Sequence, residues 1–292
     1  MNAQKTIPEI ELHLVLEALR LRHGYDFTQY SRASLQRRLT LLAETRGFDS
    51  LLQLLPGILH DDACLDRVID HVAISITGMF RDPAMYLALR DQVLPYLATY
   101  PRIQIWLAGC ATGEEACSLA ILLKEEGLLA HATVYATDIN PAALAMAESG
   151  RYPLKKIAQF SRNHQLSGGR GLLLDHFHVE GEQARIHEEI RERIVFSGHN
   201  LVSDGVFAET HLIYCANVLI YFNHHLRNRV LNLFRESLVH GGFLCLGNQE
   251  SLLGTSVEKL FREIDPDSRI YRMRTLRPPV LPFLDEADQE QS

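Results

Sequence analysis

The sequence predicts an α/β protein: a small all-α N-terminal region, then an α/β domain on a mainly parallel sheet that carries a small inserted β-subdomain. Three observations predict it. Residues 1 to about 90 carry helical periodicity, short apolar runs alternate with helical stretches from residue 103 onward, and a glycine-rich break at Ser167–Gly171 precedes short alternating stretches. Strands bounded by helices need crossover connections, which lay the strands parallel. At 292 residues and 47% hydrophobic content the chain can fill one large core and a small one beside it.

The elements follow in order. Thr6-Ile7-Pro8-Glu9 has the form of a capping box with an early proline, and Leu12, Val15, Leu16 and Leu19 follow at helical spacing. A second helix runs from Ser31 to a stop at Gly47. It has Leu35, Leu39 and Leu42 on one face and Arg32, Arg37, Arg38 and Arg46 around the rest, a basic element in an acidic chain. Asp82-Pro83 reads as an N-cap and first turn, which leaves Ser75 to Arg81 as a connecting loop. Strands are expected at Ile103 to Ala108, Thr133 to Thr137, Arg193 to Phe196, Leu212 to Cys215 and Phe243 to Leu246. The expected organisation is a helical region and linker over 1–90 and an α/β domain over 91–274, with its insertion near 155–192. A proline-bearing, acidic tail over 275–292 is expected to be extended or disordered.

Composition narrows the function. With 29 basic against 36 acidic residues the net charge is −7, which disfavours general attraction to nucleic acid or to an anionic membrane. No apolar run is long enough to span a bilayer and the start lacks a signal-peptide pattern, so a cytoplasmic protein without membrane insertion is expected. The five cysteines form no CxxC pair and read as buried thiols rather than a disulfide framework. Of the 14 histidines, those in Asp175-His176-Phe177-His178 and His224-His225 lack HExxH spacing and a third candidate ligand nearby in sequence. They read as surface or strand histidines, and no metal is expected.

The strongest local signal is IQIWLAGCATGEEACSLAILL, a buried strand entering a Gly109–Gly113 turn and then a helix. Such a turn brings backbone close to a ligand at the carboxyl end of a first strand. A dinucleotide site wants GxGxxG and an unobstructed helix N-terminus for a pyrophosphate. Here the glycines are spaced GxxxG and the helix opens with Glu114-Glu115, which repel a diphosphate and attract a ligand bearing an ammonium and a sulfonium. Acidic residues also favour the first turn of any helix, so either glutamate alone is ambiguous. Ala136-Thr137-Asp138 then sets a carboxylate at the tip of the second strand, where it can accept from both hydroxyls of a ribose.

These blocks, joined by IVFSGHNLVSD, LIYCANVLIYFNHHLRNRVLNLF and LVHGGFLCLGNQESL and preceded by ISITGMFRDPAMY, resemble in order the CheR family of chemotaxis receptor methyltransferases, over nearly the whole chain to about residue 274. The resemblance implies a Rossmann-like S-adenosylmethionine-dependent methyltransferase domain with a small β-subdomain, linked to a helical domain. It implies methyl transfer to glutamate side chains of chemoreceptors, giving glutamyl methyl esters and S-adenosylhomocysteine. It further implies that Glu115 holds the amino group of the cofactor and Asp138 its ribose, while Asn200, Leu201, Asn217 and Val218 line its adenine and methionine ends. Gly109 belongs to the same loop. Ser75, Thr77 and Arg81 would reach the cofactor from the linker, and Arg81 and Tyr221 would stand at the transferring methyl. By the same resemblance the basic helix, through Arg32, Arg37, Arg38 and Arg46, approaches a receptor helical bundle, and the β-subdomain is a candidate seat for a receptor C-terminal peptide.

A glutamate of pKa about 4.3 is ionised at neutral pH, so the acceptor needs no general base and the enzyme's work is orientation. The chain departs from the family pattern at Ser75, at Met79-Phe80, and at Ala216, where an arginine is usual. The last departure keeps a second reading open: a cofactor-binding regulatory or docking module with altered or lost catalysis. A third, a small-molecule methyltransferase, sits poorly with a separate basic helical region.

Overall fold

The structure, a computed structural model, describes residues 6–73 and 77–274. Ser75 and the acidic tail lie outside the described residues. Four helices open the fold: α1 (Ile7–His23), α2 (Arg32–Thr45), α3 (Leu55–His60) and α4 (Asp62–Val72). At the start of α1 the Glu9 carboxylate accepts from both the backbone N–H and the hydroxyl of Thr6. Their apolar faces share one core, with Leu16, Leu19, Leu35, Leu39, Val68 and Ile69 buried in it; each such side chain contributes about 1.5–3 kcal/mol.

Two short helices, α5 (Pro83–Ala88) and α6 (Leu94–Leu97), flank a π-helical turn and lead to the sheet. Asp82 takes the expected N-cap position with Pro83 opening the helix, but its side chain makes no capping hydrogen bond. Then come β1 (Ile103–Ala108), α7 (Glu114–Glu125), β2 (Ala132–Asp138), α8 (Pro141–Ser149), β3 (Arg151–Pro153), α9 (Leu154–Leu166), β4 (Phe177–Glu180), β5 (Gln183–Ile186), α10 (Glu188–Arg191), β6 (Ile194–Gly198), β7 (Thr210–Cys215), α11 (His224–Ser237), β8 (Leu238–Leu246), β9 (Phe261–Asp265) and β10 (Ile270–Met273).

The large sheet has the order β6-β2-β1-β7-β8-β10-β9. Its first five strands are parallel, with Ile105 in register with Val134 on one side and Leu212 on the other. The last two form an antiparallel edge that the sequence does not announce, because Arg262, Glu263 and Arg272 interrupt the apolar pattern. β8 begins at Leu238 rather than Phe243: Gly241, at φ 77°, reads as a break yet sits inside the strand at a register shift against β7. Side-chain alternation sends Ile103, Ile105 and Leu107 of β1 into one core and Trp106 and Ala108 into the other. The chain leaves β1 toward β2 on one side and returns as β7 on the other, so a crevice opens at the carboxyl ends of these strands.

The insertion differs from expectation in extent. Its three-stranded antiparallel sheet, β3-β5-β4, begins at Arg151, and the helix α9 stands between its first two strands. No helix among the described residues is long and apolar enough to cross a membrane.

Candidate active site

A cavity of about 230 Å³ occupies that crevice. Ten of the candidate residues line it: Thr77, Arg81, Gly109, Glu115, Asp138, Asn200, Leu201, Asn217, Val218 and Tyr221. The turn after β1 carries Gly109 at φ 82° and Gly113 at φ 87°. A Cβ on Gly109 would collide with Val218 Cγ2, and one on Gly113 would stand 2.8 Å from the Ala147 Cβ on α8. Glycine at these positions lets the Asn217-Val218 loop and α8 close on the turn.

The two adjacent glutamates separate. Glu114 is buried and accepts from the Thr112 hydroxyl at 2.6 Å, as a helix-start acid does. Glu115 lines the cavity, and its Oε1 accepts from the hydroxyls of Tyr86 and Tyr214, each at 3.2 Å. Burial pushes its pKa up to about 7, against the two phenols and Arg81, which favour the ionised form. Asp138 accepts from the Ala111 N–H at 2.8 Å and the Asn140 N–H at 2.9 Å. Burial raises its pKa, and these backbone donors oppose the rise. Its carboxylate thus ties the tips of β1 and β2 together and keeps lone pairs for a ligand.

The opposite wall hangs on Glu250. Its carboxylate accepts from the N–H groups of Gly247 (2.7 Å), Val218 (3.0 Å), Asn217 (3.1 Å) and Ile220 (3.2 Å). Four donors on one buried acid fix the loop in which Asn217 takes φ 62° and which delivers Tyr221. Asn200 turns its own loop, accepting from Val202 N–H at 2.9 Å.

The model of the CheR methyltransferase S-adenosylmethionine-binding domain matches residues 75–269, and that of the CheR all-alpha domain matches residues 10–73. The chain belongs to the CheR methyltransferase family. S-adenosylmethionine is therefore its cofactor. The Pseudomonas putida protein Cher3, a methyltransferase by name, is 42% identical over 266 residues, covering 90% of this chain and 97% of that one. A chemotaxis protein methyltransferase of Listeria innocua is 29% identical over 79% of this chain and 86% of its own. Chemotaxis protein methyltransferase 1 of Vibrio cholerae is 33% identical over 64% of this chain and 68% of its own.

The cavity of this CheR chain suits a cationic nucleoside: among its described lining residues the carboxylates are Glu115 and Asp138, and Arg81 is the arginine. Sequence reasoning missed part of the wall. Tyr30, Val72 and Ala73 come from the helical region and His199 from the end of β6. Tyr30 packs edge-on against Phe222 at 4.9 Å, and the Tyr221 carbonyl accepts from the Ser31 N–H at 2.7 Å. Nothing local marks these residues, because tertiary packing alone brings them to the crevice.

The basic helix divides. Arg32 and Arg37 are exposed. Arg38 lies 4.6 Å over the Tyr221 ring and donates to the Val72 carbonyl at 2.6 Å, while Arg46 donates to Cys64 Sγ at 3.3 Å. The reading of His176 as a surface or strand histidine is corrected: it is buried at the end of a 3₁₀ turn, whereas His178, His224 and His225 are exposed. All five cysteines are buried and free.

Proposed function

We propose that this CheR chain methylates glutamate side-chain carboxylates of a chemoreceptor or receptor-like signalling protein, giving glutamyl 5-methyl ester and S-adenosylhomocysteine. The observation that carries the reading is a single cavity in which the buried Glu115 and the strand-tip Asp138 stand with Arg81 and Tyr221. The chemotaxis names of the Listeria and Vibrio relatives support the choice of acceptor.

In this proposal Glu115 accepts from the ammonium of the cofactor's methionine part and Asp138 from its ribose hydroxyls. Asn200, Leu201, Asn217 and Val218 line its two ends, and Thr77 and Arg81 approach from the linker. When bound, the cofactor supplies an electrophilic methyl on a sulfonium. Arg81 offers a forked pair of donors to the incoming carboxylate and Tyr221 one hydroxyl. Transfer of that methyl to the acceptor oxygen would cancel opposite charges and move no proton, so the residues here would orient the acceptor rather than supply a base. Alignment of this kind is worth about 7–11 kcal/mol. Tyr30, Val72 and Ala73 roof the site and exclude water.

The exposed Arg32 and Arg37 on α2 are the proposed contacts to an acidic receptor bundle, and the insertion a seat for a receptor C-terminal peptide. Residues 1–90 then serve docking and 91–274 the chemistry, in the cytoplasm where such a bundle lies.

Transfer of labelled methyl to receptor cytoplasmic fragments, followed by base-labile release as methanol, tests the proposal. Label on the fragments that disappears with Glu115→Gln is expected. Cofactor binding without transfer to any fragment would instead favour the docking module, for which Ala216 on the cavity wall is the motivating feature. Label on a free acid alone would favour a small-molecule enzyme.

A further inference from the structure

Away from the cofactor cavity, three side chains distant in sequence bring metal-binding atoms together. Glu125 ends α7, His164 lies in the last turn of α9, and His176 closes the 3₁₀ turn that leads into β4. One ligand atom from each lies within 4.8 Å of the other two. His164 Nε2 is 2.6 Å and His176 Nε2 3.5 Å from Glu125 Oε1. Zinc bonds of about 2.0–2.2 Å set tetrahedral ligands roughly 3.3 Å apart, and the observed spacings straddle that value. Side-chain exposures of 0%, 9% and 4% for His164, His176 and Glu125 place the cluster in the interior.

A second observation points to a ligand. Neither ring nitrogen of His176 has a hydrogen-bond partner, nor does Nδ1 of His164. An orphaned buried polar group costs about 1–3 kcal/mol, and a metal ion on Nε2 removes part of that cost. The other Glu125 oxygen is paired with Arg90, which also donates to Glu126 at 2.6 Å and to the Ser167 carbonyl at 3.0 Å. Outer partners of this kind orient ligating carboxylates.

We propose that Glu125, His164 and His176 form a structural site for zinc or a similar first-row dication. Two imidazoles and one carboxylate are the donor set of such ions rather than of calcium or magnesium. Arg90 and Arg170 already offset Glu125 and Glu126, so the ion relies on its three bonds and on the negative end of α7, and its affinity is modest. Its consequence is mechanical: the ion fastens the turn before β4 and the end of α9 onto α7, and so fixes the insertion to the large sheet. The loop between them is already shaped to the cluster, because a Cβ on Gly169 would collide with the His164 ring.

Zinc titration of the chelator-dialysed full chain, against a chromophoric competitor and by thermal midpoint, tests this. One equivalent and a midpoint raised by several degrees are expected. His164→Gln with His176→Gln should abolish both effects. The exposed His178→Gln with the half-buried His187→Gln, and the exposed pair His224→Gln with His225→Gln, should leave them intact. No uptake by the wild type, or uptake that survives the His164/His176 change, overturns the proposal. Should that double variant fail to fold, cobalt(II) added to the wild type decides: visible bands of a tetrahedral site support the assignment, and a featureless spectrum at one equivalent overturns it.

Discussion

Helix α7 carries a buried acid near each end, and the two behave oppositely. Glu115, in the first turn, has its pKa pushed up to about 7 by burial. At the last residue, Glu125 also meets burial that acts to raise its pKa, but the hydrogen bond from His164, the nearby His176 ring and the Arg90 guanidinium outweigh it and hold the carboxyl well below its usual range. The helix dipole favours an anion at the first position and disfavours one at the last, the reverse of what is observed. A dipole term of about 0.3–1 kcal/mol yields to direct partners, since each pKa unit is about 1.36 kcal/mol. Glu125 is held by partners built into the fold; Glu115 has only hydroxyls and the nearby Arg81, which leaves it able to take a cationic group, as the proposed function requires.

The largest break in that contrast is Glu125→Leu. Removing the acid costs Arg90 one buried partner, though it keeps Glu126 and the Ser167 carbonyl, and takes the anion from both imidazoles; an unfolding free energy lower by about 3 kcal/mol is expected in urea titrations. Cofactor affinity of the folded variant, measured by calorimetry, should stay near the wild-type value. A matched loss of affinity would show that the two ends are not independent.

Glu115→Gln should do the converse. Loss of a charge-assisted hydrogen bond of about 1.5–3 kcal/mol lowers S-adenosylmethionine affinity roughly 10- to 100-fold. Stability near neutral pH should hold or rise, because a costly buried charge has gone. The acid responses of the two residues are likewise opposite. With a raised folded pKa, Glu115 contributes stability below about pH 4.5 that is lost as pH rises toward 7; with a depressed one, Glu125 contributes stability at neutral pH that is lost as pH falls through the acid range.

The contrast also shows what was legible in the chain. The Gly109–Gly113 turn, Glu115 and Asp138 lie within single strand-turn-helix units, where a local pattern dictates local geometry. That Glu115 rather than Glu114 lines the cavity was legible only through the family resemblance and not from local pattern, because Thr112, Tyr86 and Tyr214 decide it and two of these arrive from distant elements. Glu250 belonged to a recognisable block, yet its hold on four backbone donors emerges only once the β8 end lies against the Asn217–Ile220 loop. The partners of His176 are equally remote in sequence, so spacing rules were blind to them. The parallel strands were readable from apolar runs; the β9–β10 edge was not, because its buried Phe261, Ile270 and Tyr271 are interrupted by Arg262, Glu263 and Arg272.

A smaller effect sharpens the same comparison. If the ammonium of the cofactor requires ionised Glu115, affinity should climb up to about tenfold per pH unit below 7 and level off above it, with a decline near pH 8 as the ligand amine, an α-amino group of pKa about 7.7–8.0, loses its proton. Calorimetry across pH 5.5 to 8.5 reads this directly. A flat profile would mean that Glu115 keeps one protonation state throughout.

Tyr214→Phe is the finest probe. The phenol donates to Glu115 Oε1 at 3.2 Å from β7 while Tyr86 donates from α5, so either can be removed with the other left in place. Both favour the ionised carboxylate, and loss of one should move the midpoint of the affinity profile upward by roughly one unit. Above the new midpoint affinity should return to nearly the wild-type value, since the change raises the cost of ionising Glu115 without touching its contact with the ligand. Affinity lost equally at every pH would instead mean that Tyr214 shapes the cavity wall, and that the unusual titration of Glu115 comes from burial alone.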